Sequence, residues 1–221
     1  MRAIMEPIFN ILYLIIVLTM GITIIKNAEK DLKIFGYMAI LLGAGDAFHL
    51  VPRIISMVSA GNFEASLGFG KLVTSITMTF FYVLLYEFLI KYYKTNRHKL
   101  TDWAVYGLAV IRIVLCLFPQ NNWLHEEGNY TWEILRNIPF ALLGIIILVF
   151  AGQVAKGNFK HLMIAIILSF GFYIPVVLWA DASPNVGLLM IPKTMAYVWI
   201  VVMGFQEMRQ IKNPPLDPAQ T

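Results

Sequence analysis

The chain has 221 residues, of which 59% are hydrophobic and 14% are charged. An ordinary soluble domain carries about 45–50% apolar and about 25% charged residues, so this composition excludes one and indicates a membrane protein. The net charge is only +4 and the basic residues lie in loops, so we expect no nucleic-acid partner. The single cysteine, Cys116, excludes an internal disulfide and a cysteine-rich metal site.

Seven apolar segments are long enough to cross a bilayer, which takes about 20 helical residues. No small-residue cleavage site follows the first segment, so we interpret it as a retained helix rather than a secretory signal. The sequence predicts an all-α seven-transmembrane-helix bundle over residues 1–212 and a short cytoplasmic tail over 213–221. The predicted helices span 7–26, 34–59, 66–92, 103–119, 132–155, 161–180 and 185–207.

The charges of the loops predict the orientation of the bundle. Lysine and arginine accumulate in alternate loops and at the C-terminal end of the chain. Acidic residues occupy the loops between them, among them Glu64, Glu126, Glu127 and Asp181. By the positive-inside rule the basic loops face the cytoplasm. We therefore expect a multi-pass protein of the cell membrane with its N-terminus outside and its C-terminus in the cytoplasm.

Four prolines lie within predicted helices, and on this orientation all of them fall in or near the outer halves: Pro52, Pro139, Pro175 and Pro192. A proline inside a helix leaves the carbonyl one turn earlier without its donor. Two interpretations follow. Proline is commoner in membrane helices than in soluble ones, or the four kinks splay the outer half of the bundle and open a pocket.

The second apolar segment contains three ionisable residues, Asp46, His49 and Arg53. Their spacing of i, i+3 and i+7 puts them on one face of a helix. Because ionisable groups are costly in hydrocarbon, this face should point into the protein or a wet cavity. Asp46 and His49 are the candidate catalytic residues. A catalytic zinc needs a third protein ligand, so we expect no metal site and no other cofactor.

Further polar residues are predicted in the same half of the bundle. Asp46 and Lys193 can lie at one depth, which makes them natural partners. The candidate ligand-binding residues are Arg53, Lys71, Ser75, Tyr82, Arg112, Arg136, Asn137, Tyr173, Lys193 and Tyr197. Cations outnumber acids in this set, which predicts an outward-opening cationic pocket for a membrane lipid, a lysolipid or a small anion. The alternative is a set of salt bridges and of side chains that snorkel to headgroups.

The second helix, with Gly45 and Asp46 followed by Leu50, Pro52 and Arg53, resembles the YhhN-like lysoplasmalogenases. The third helix is loosely similar to that family's next segment at Gly70, Ser75, Phe81, Tyr82 and Tyr86. The family consists of multi-pass membrane hydrolases that cleave the vinyl-ether bond of lysoplasmalogens. The resemblance implies a pair of intramembrane aspartates, of which Asp46 would be the first.

Three functional hypotheses remain open. The first is a lipid-processing hydrolase in which Asp46 protonates the vinyl ether, His49 positions water and a cation such as Arg53 holds the phosphate. The second is a non-enzymatic receptor or transport protein that binds a small anion or a lipid. The third is a retinal protein with Lys193 as the Schiff-base amine and Asp46 as its counter-ion.

Overall fold

The computed structural model describes residues 2–125, 128–180 and 182–214, and it confirms the predicted all-α fold. Three of the acidic loop residues, Glu126, Glu127 and Asp181, lie outside the described residues, as does most of the tail, 215–221. The seven long helices are α1 Arg2–Asn27, α2 Lys30–Val58, α3 Glu64–Tyr93, α4 Lys99–Leu117, α5 Tyr130–Val154, α6 Leu162–Trp179 and α7 Met190–Lys212.

All seven helices are long and apolar enough to cross a membrane. A helix pairs its backbone groups within itself, which is what a segment in hydrocarbon requires. Large apolar side chains also cover the outside of the bundle, among them Ile8, Ile15, Phe80, Val110, Ile145 and Ile167. The chain is therefore a multi-pass integral membrane protein.

The helices form a closed ring in chain order, with α7 packing back against α1. α3 also contacts α5 across the ring, which makes it the most enclosed helix. Because short segments join successive helices, neighbours run antiparallel. We call the end that carries the N-termini of α1, α3, α5 and α7 the outer end, after the predicted orientation.

α7 differs most from its prediction at both ends. It begins at Met190 rather than 185 because residues Pro184–Leu189 form a 3-10 helix. Pro192 therefore lies in the first turn of α7, where backbone N–H groups have no helical acceptor, and the expectation that it frees a carbonyl was wrong. α7 continues past 207 because Glu207 is held there by the Tyr92 hydroxyl and the Asn158 amide.

α2 and α3 pack backbone to backbone beside Asp46 and His49 of α2. A Cβ at Gly70 would clash with the carbonyl oxygen of Phe48 and the backbone of His49. A Cβ at Gly45 would clash with the side chain of Thr77. Small residues allow such close approach in membrane bundles, where packing rather than the hydrophobic effect holds helices together. These contacts fix the height of α2 relative to α3.

The inner end is closed by a polar cluster in which the acids meet cations. Arg97 donates two hydrogen bonds to the Glu87 carboxylate, at 2.8 and 2.7 Å. The Tyr106 hydroxyl donates to the same carboxylate, and the Tyr86 hydroxyl donates to Asp102 at 2.7 Å. Arg97 also lies 3.6 Å from Asp102. Glu87, Asp102 and Arg97 are thus paired with one another within the protein.

Substituting Gly70 by alanine should destabilise the bundle. The added methyl would meet the backbone of α2, and overpacking of this kind costs about 1–3 kcal/mol. The matched control is Gly171→Ala in α6, where the added Cβ would have no neighbour within 4 Å. Because alanine favours a helix over glycine by up to about 1 kcal/mol, the control should be neutral or stabilising. Thermal unfolding in detergent measures both, and equal shifts for the two variants would contradict the packing.

Candidate functional site

The buried charged side chains of the described chain are all cations. They are Arg112 on α4, Arg136 on α5 and Lys193 on α7, which are 2%, 8% and 7% exposed. Burying a charge without a partner or hydrogen bonds is strongly unfavourable. Each of these three residues therefore needs a compensating group, and what surrounds each one differs.

Arg112 is the most enclosed of the three. Its guanidinium carbon lies 3.2 Å from the centre of the Phe140 ring on α5. Its Nε and Nη1 atoms are buried and have no hydrogen-bond partner. The ring face attracts the cation but accepts no conventional hydrogen bond, and a guanidinium does not deprotonate in proteins. Arg112 is therefore a permanent buried cation with free donors.

Lys193 lies in the first turn of α7 against two aromatic rings. Its ammonium is 4.4 Å from the centre of the Tyr173 ring and 5.5 Å from that of Tyr197. None of the ion pairs between residues that the structure describes involves Lys193. Its charge still interacts with those of Asp46 and Arg112. The predicted pairing with Asp46 is thus an electrostatic proximity rather than a direct salt bridge.

Asp46 finds its direct partner on α1. The buried Tyr13 hydroxyl donates a hydrogen bond of 2.5 Å to the Asp46 carboxylate. Tyr13 was not predicted from the sequence, because one tyrosine in an apolar helix forms no pattern and its role depends on the packing of α1 against α2.

His49 and Arg53 lie further toward the outer end on the same helix. The Nδ1 atom of His49 is 3.3 Å from the carbonyl oxygen of Leu67. The Nε atom of Arg53 donates to Glu6 on α1 at 2.5 Å. Arg53 therefore pairs with Glu6, an acid that the sequence analysis did not consider, rather than with Asp46.

Three hydroxyls adjoin one another near the two innermost cations. Those of Tyr82 on α3, Ser169 on α6 and Tyr197 on α7 are close enough to interact. Neither Tyr82 nor Ser169 has a partner at hydrogen-bond distance and angle. Ser169 was missed in the sequence because serine is common in membrane helices. The core therefore has unused hydroxyls as well as unused guanidinium donors.

The remaining predicted residues support the core or lie outside it. The Tyr173 hydroxyl donates to the Asn137 side chain at 2.8 Å, which orients the ring under Lys193. Lys71 is exposed, and the Ser75 hydroxyl donates to the Lys71 carbonyl at 2.8 Å within α3. Lys71 is thus not brought to the buried cations, and Ser75 makes a bond within its own helix.

Arg136 is held near the outer end by three neighbours. It donates a 2.8 Å hydrogen bond to the buried side chain of Asn121 and lies 3.4 Å from Glu133. Its guanidinium also stacks over the Trp123 ring at 4.3 Å. Arg136 therefore has hydrogen-bonding, ionic and aromatic partners, whereas Nε and Nη1 of Arg112 have no hydrogen-bond partner.

The predicted set divides into two groups. We call the residues that line the middle of the outer half the core group: Asp46, Tyr82, Arg112, Tyr173, Lys193 and Tyr197, with the unpredicted Tyr13, Phe140 and Ser169. His49, Arg53, Lys71, Ser75 and Arg136 lie outside it, and Asn137 supports it by accepting from Tyr173. A pocket of about 500 Å³ opens at the segment between α4 and α5, and its described lining residues are Pro119, Gln120, Asn122 and 128–131. None of the four predicted prolines lines this pocket.

Comparisons of this chain with protein-family models, curated proteins and solved structures found no match. The resemblance of α2 to lysoplasmalogenases therefore stays a prediction. Functional inference has to start from the geometry of the core group.

Because of the hydrogen bond between Tyr13 and Asp46, mutations of the two residues should have non-additive effects on the free energy of unfolding. Bonds to charged groups contribute about 1.5–3 kcal/mol in soluble proteins, and interhelical bonds in membranes average about 0.6 kcal/mol. A double-mutant cycle of Tyr13→Phe and Asp46→Leu, which leaves no acceptor for the hydroxyl, should give a coupling free energy of about 1 kcal/mol. The exposed Tyr37 of α2 provides the control, since Tyr37→Phe should add independently to Asp46→Leu. Unfolding in detergent measures the cycle, and additivity at Tyr13 would contradict the bond.

Proposed function

We propose that this integral membrane protein binds an anion inside its helix bundle, with Arg112 and Lys193 as the binding cations. The observation that carries the proposal is the state of Arg112, which is 2% exposed and has no partner for Nε or Nη1. A permanent cation in such a position lacks its main source of compensation.

The charge balance of the core group supports the same inference. The core group contains two cations, Arg112 and Lys193, and one carboxyl, that of Asp46, which interacts with Lys193 and has its direct hydrogen bond from Tyr13. The Lys193 and Arg112 charges also repel each other. A bound anion would offset this excess and would accept from the free guanidinium donors. Glu87 and Asp102 at the inner end, by contrast, already have a cationic partner in Arg97.

The donor groups of the site favour an oxyanion as the ligand. Arginine donors match the oxygens of carboxylate, phosphate or sulfate, often two at a time. The unpartnered hydroxyls of Tyr82 and Ser169 would add two further donors. A free anion and the phosphate of a lysolipid share this chemistry. The predicted orientation, with the N-terminus outside, would open the site toward the exterior.

The competing structural interpretation is that aromatic rings alone compensate the cations. Phe140 lies under Arg112, and Tyr173 lies under Lys193. A desolvated cation–π contact contributes about 2 kcal/mol or more, which offsets only part of the cost of burying the charge. The two interpretations differ in one observable, because only an anion site makes the stabilisation by an anion depend on Arg112, whereas the general stabilising effect of phosphate and sulfate does not.

Inorganic phosphate or sulfate should raise the melting temperature of the wild type in detergent. At a concentration of 100 times Kd the stabilisation amounts to about 2.7 kcal/mol. Arg112→Met should reduce the rise to the general effect of these salts, since it removes the donors and keeps an apolar side chain against Phe140. Arg209→Met is the matched control, because Arg209 is exposed and stacks on Phe205 at the inner end of the bundle.

An equal rise in the wild type and in Arg112→Met would contradict the assignment of the site. To separate the two sources of the ligand, a lysophospholipid and free phosphate are titrated in parallel. Stabilisation by the lysophospholipid alone indicates a headgroup site. Stabilisation by both indicates a site for the oxyanion itself.

A second candidate function is hydrolysis of a vinyl-ether lysolipid, and one observation favours it. The Asp46 carboxyl, the acid such chemistry requires, lies in the same core group as the cations that would hold the phosphate. The Tyr13 hydroxyl would orient that carboxyl. The family's second aspartate has no counterpart in the α5 stretch 145–153, so we place this candidate after anion binding.

Asp46→Asn tests the hydrolase directly. The amide keeps the shape of the side chain but cannot deliver a proton to the vinyl ether. The wild type should release aldehyde from a lysoplasmalogen, and the variant should lose at least about a hundredfold in rate. Asp102→Asn, an acid of the inner polar cluster, is the control and should retain the rate. A wild type without turnover would remove this candidate and leave anion binding in place.

A further inference from the structure

We propose that the inner end of the bundle carries a second binding site, for the headgroup of a phospholipid that ends in a primary amine. The site lies between the start of α6 and the inner half of α7, away from the core group. Its lining combines a carboxylate with a lysine, which match the ammonium and the phosphate of such a headgroup. The site does not depend on anion binding at Arg112.

A pocket of about 480 Å³ opens where the segment before α6 meets α7. Small-molecule sites have volumes of about 300–1,000 Å³, so a lipid headgroup is small enough to enter. Among the described lining residues, Asn158, Lys160 and His161 come from the segment before α6. Trp199 and Glu207 come from α7. Both signs of charge and an aromatic ring thus meet in one pocket.

Glu207 is an acid without a cationic partner in the part of the chain that the structure describes. Its carboxylate accepts hydrogen bonds from the Tyr92 hydroxyl at 2.5 Å and from the Asn158 amide at 2.7 Å. Both donors are neutral, and each carboxylate oxygen keeps a further acceptor position. Glu87 at the same end is paired with Arg97. An ammonium in the pocket would supply the corresponding charge for Glu207.

Neighbouring contacts hold this carboxylate in place. The Asn158 amide donates to Glu207 and to the Gln210 side chain, each at 2.7 Å, which ties the segment before α6 to α7. The next residue, Phe159, is fully buried and packs edge-on against the Tyr92 ring. The acceptor is therefore positioned before a ligand binds, which lowers the entropic cost of binding.

The basic side of the pocket lies at the depth of lipid headgroups. Lys160 and His161 are exposed, and neither belongs to an ion pair between described residues. A lysine binds a phosphate as a point charge. The His161 ring stacks on that of Trp199, with centroids 6.0 Å apart, so the start of α6 is level with Trp199. Tryptophan is enriched at the boundary between membrane and water.

An exposed apolar surface continues from the pocket toward the middle of the membrane. Met195 precedes Trp199 by one turn on the same face of α7, and Ile164 follows His161 by about one turn on α6. Both Met195 and Ile164 are exposed. Because α6 and α7 run antiparallel, both residues lie on the membrane side of the stacked rings. The acyl chains of a bound lipid would cover them, which favours a lipid over a soluble ligand.

Native mass spectrometry of the full chain in detergent measures which lipid binds. The folded protein is mixed with equal amounts of phosphatidylethanolamine and phosphatidylglycerol that carry identical acyl chains. Both lipids have a phosphate, and only the first has an ammonium. We expect the one-to-one complexes to favour phosphatidylethanolamine by a factor on the order of five, which is the upper range for a partly exposed ion pair.

Two variants separate the parts of the headgroup. Glu207→Gln keeps the shape and an acceptor oxygen but removes the charge, so the ratio of the two complexes should fall to about one. Lys160→Gln should weaken both complexes and leave their ratio unchanged, since both lipids carry the phosphate. Asp31→Asn is the matched control and should change neither quantity, because Asp31 is an exposed acid of the inner end outside the described lining.

Equal binding of the two lipids by the wild type, or an unchanged ratio in Glu207→Gln, would overturn the site. Melting curves establish that each variant is folded. If Glu207→Gln does not fold, the exposed Lys160 still provides a test, and undiminished complexes in Lys160→Gln would contradict the proposal. Glycerophosphoethanolamine, the headgroup without acyl chains, should not displace the lipid at equal concentration. Displacement would indicate a soluble ligand and overturn the assignment to a lipid.

Discussion

The structure depends on one electrostatic constraint, a guanidinium that cannot lose its proton and is buried inside the helix bundle. Arg112 is enclosed by α4, the Phe140 ring of α5 and the interior of the bundle. Its charge cannot be removed by a pKa shift, as that of a buried lysine can. The neighbouring groups must therefore compensate the positive charge. They can be the face of an aromatic ring, a carboxylate or a bound anion. The first is present at 3.2 Å, whereas the Asp46 carboxyl interacts with Lys193.

Helix packing brings the residues of the core group together in the outer half of the bundle. Close contact of α2 and α3 at Gly45 and Gly70 sets the height of Asp46, and α1 adds Tyr13 from the opposite side. The T-shaped and tilted contacts of Tyr82, Phe140 and Phe170 fill the space below the cations. Dense aromatic packing rigidifies the site, so the free donors of Arg112 stay directed into the core.

The sequence allowed the fold to be predicted because apolar length and loop charge are strong signals in membrane proteins. It located Arg112, Lys193 and Asp46 because charges are rare in such helices. It did not identify Tyr13, Ser169 or Glu6, since their roles depend on which helices are neighbours. Pro192 was misjudged because a 3-10 helix shifts the start of α7 by several residues. Contacts between helices distant in sequence were the missing information.

The central claim is that an oxyanion occupies the space beside Arg112. Anomalous diffraction from crystals of the full chain grown with selenate tests it most directly, since selenium locates the anion without a ligand of known identity. The account predicts an anomalous peak within hydrogen-bond distance of Nε or Nη1 of Arg112, and its loss in Arg112→Met. Peaks confined to surface lysines, with water or protein carbonyls on both of those nitrogens, would contradict it.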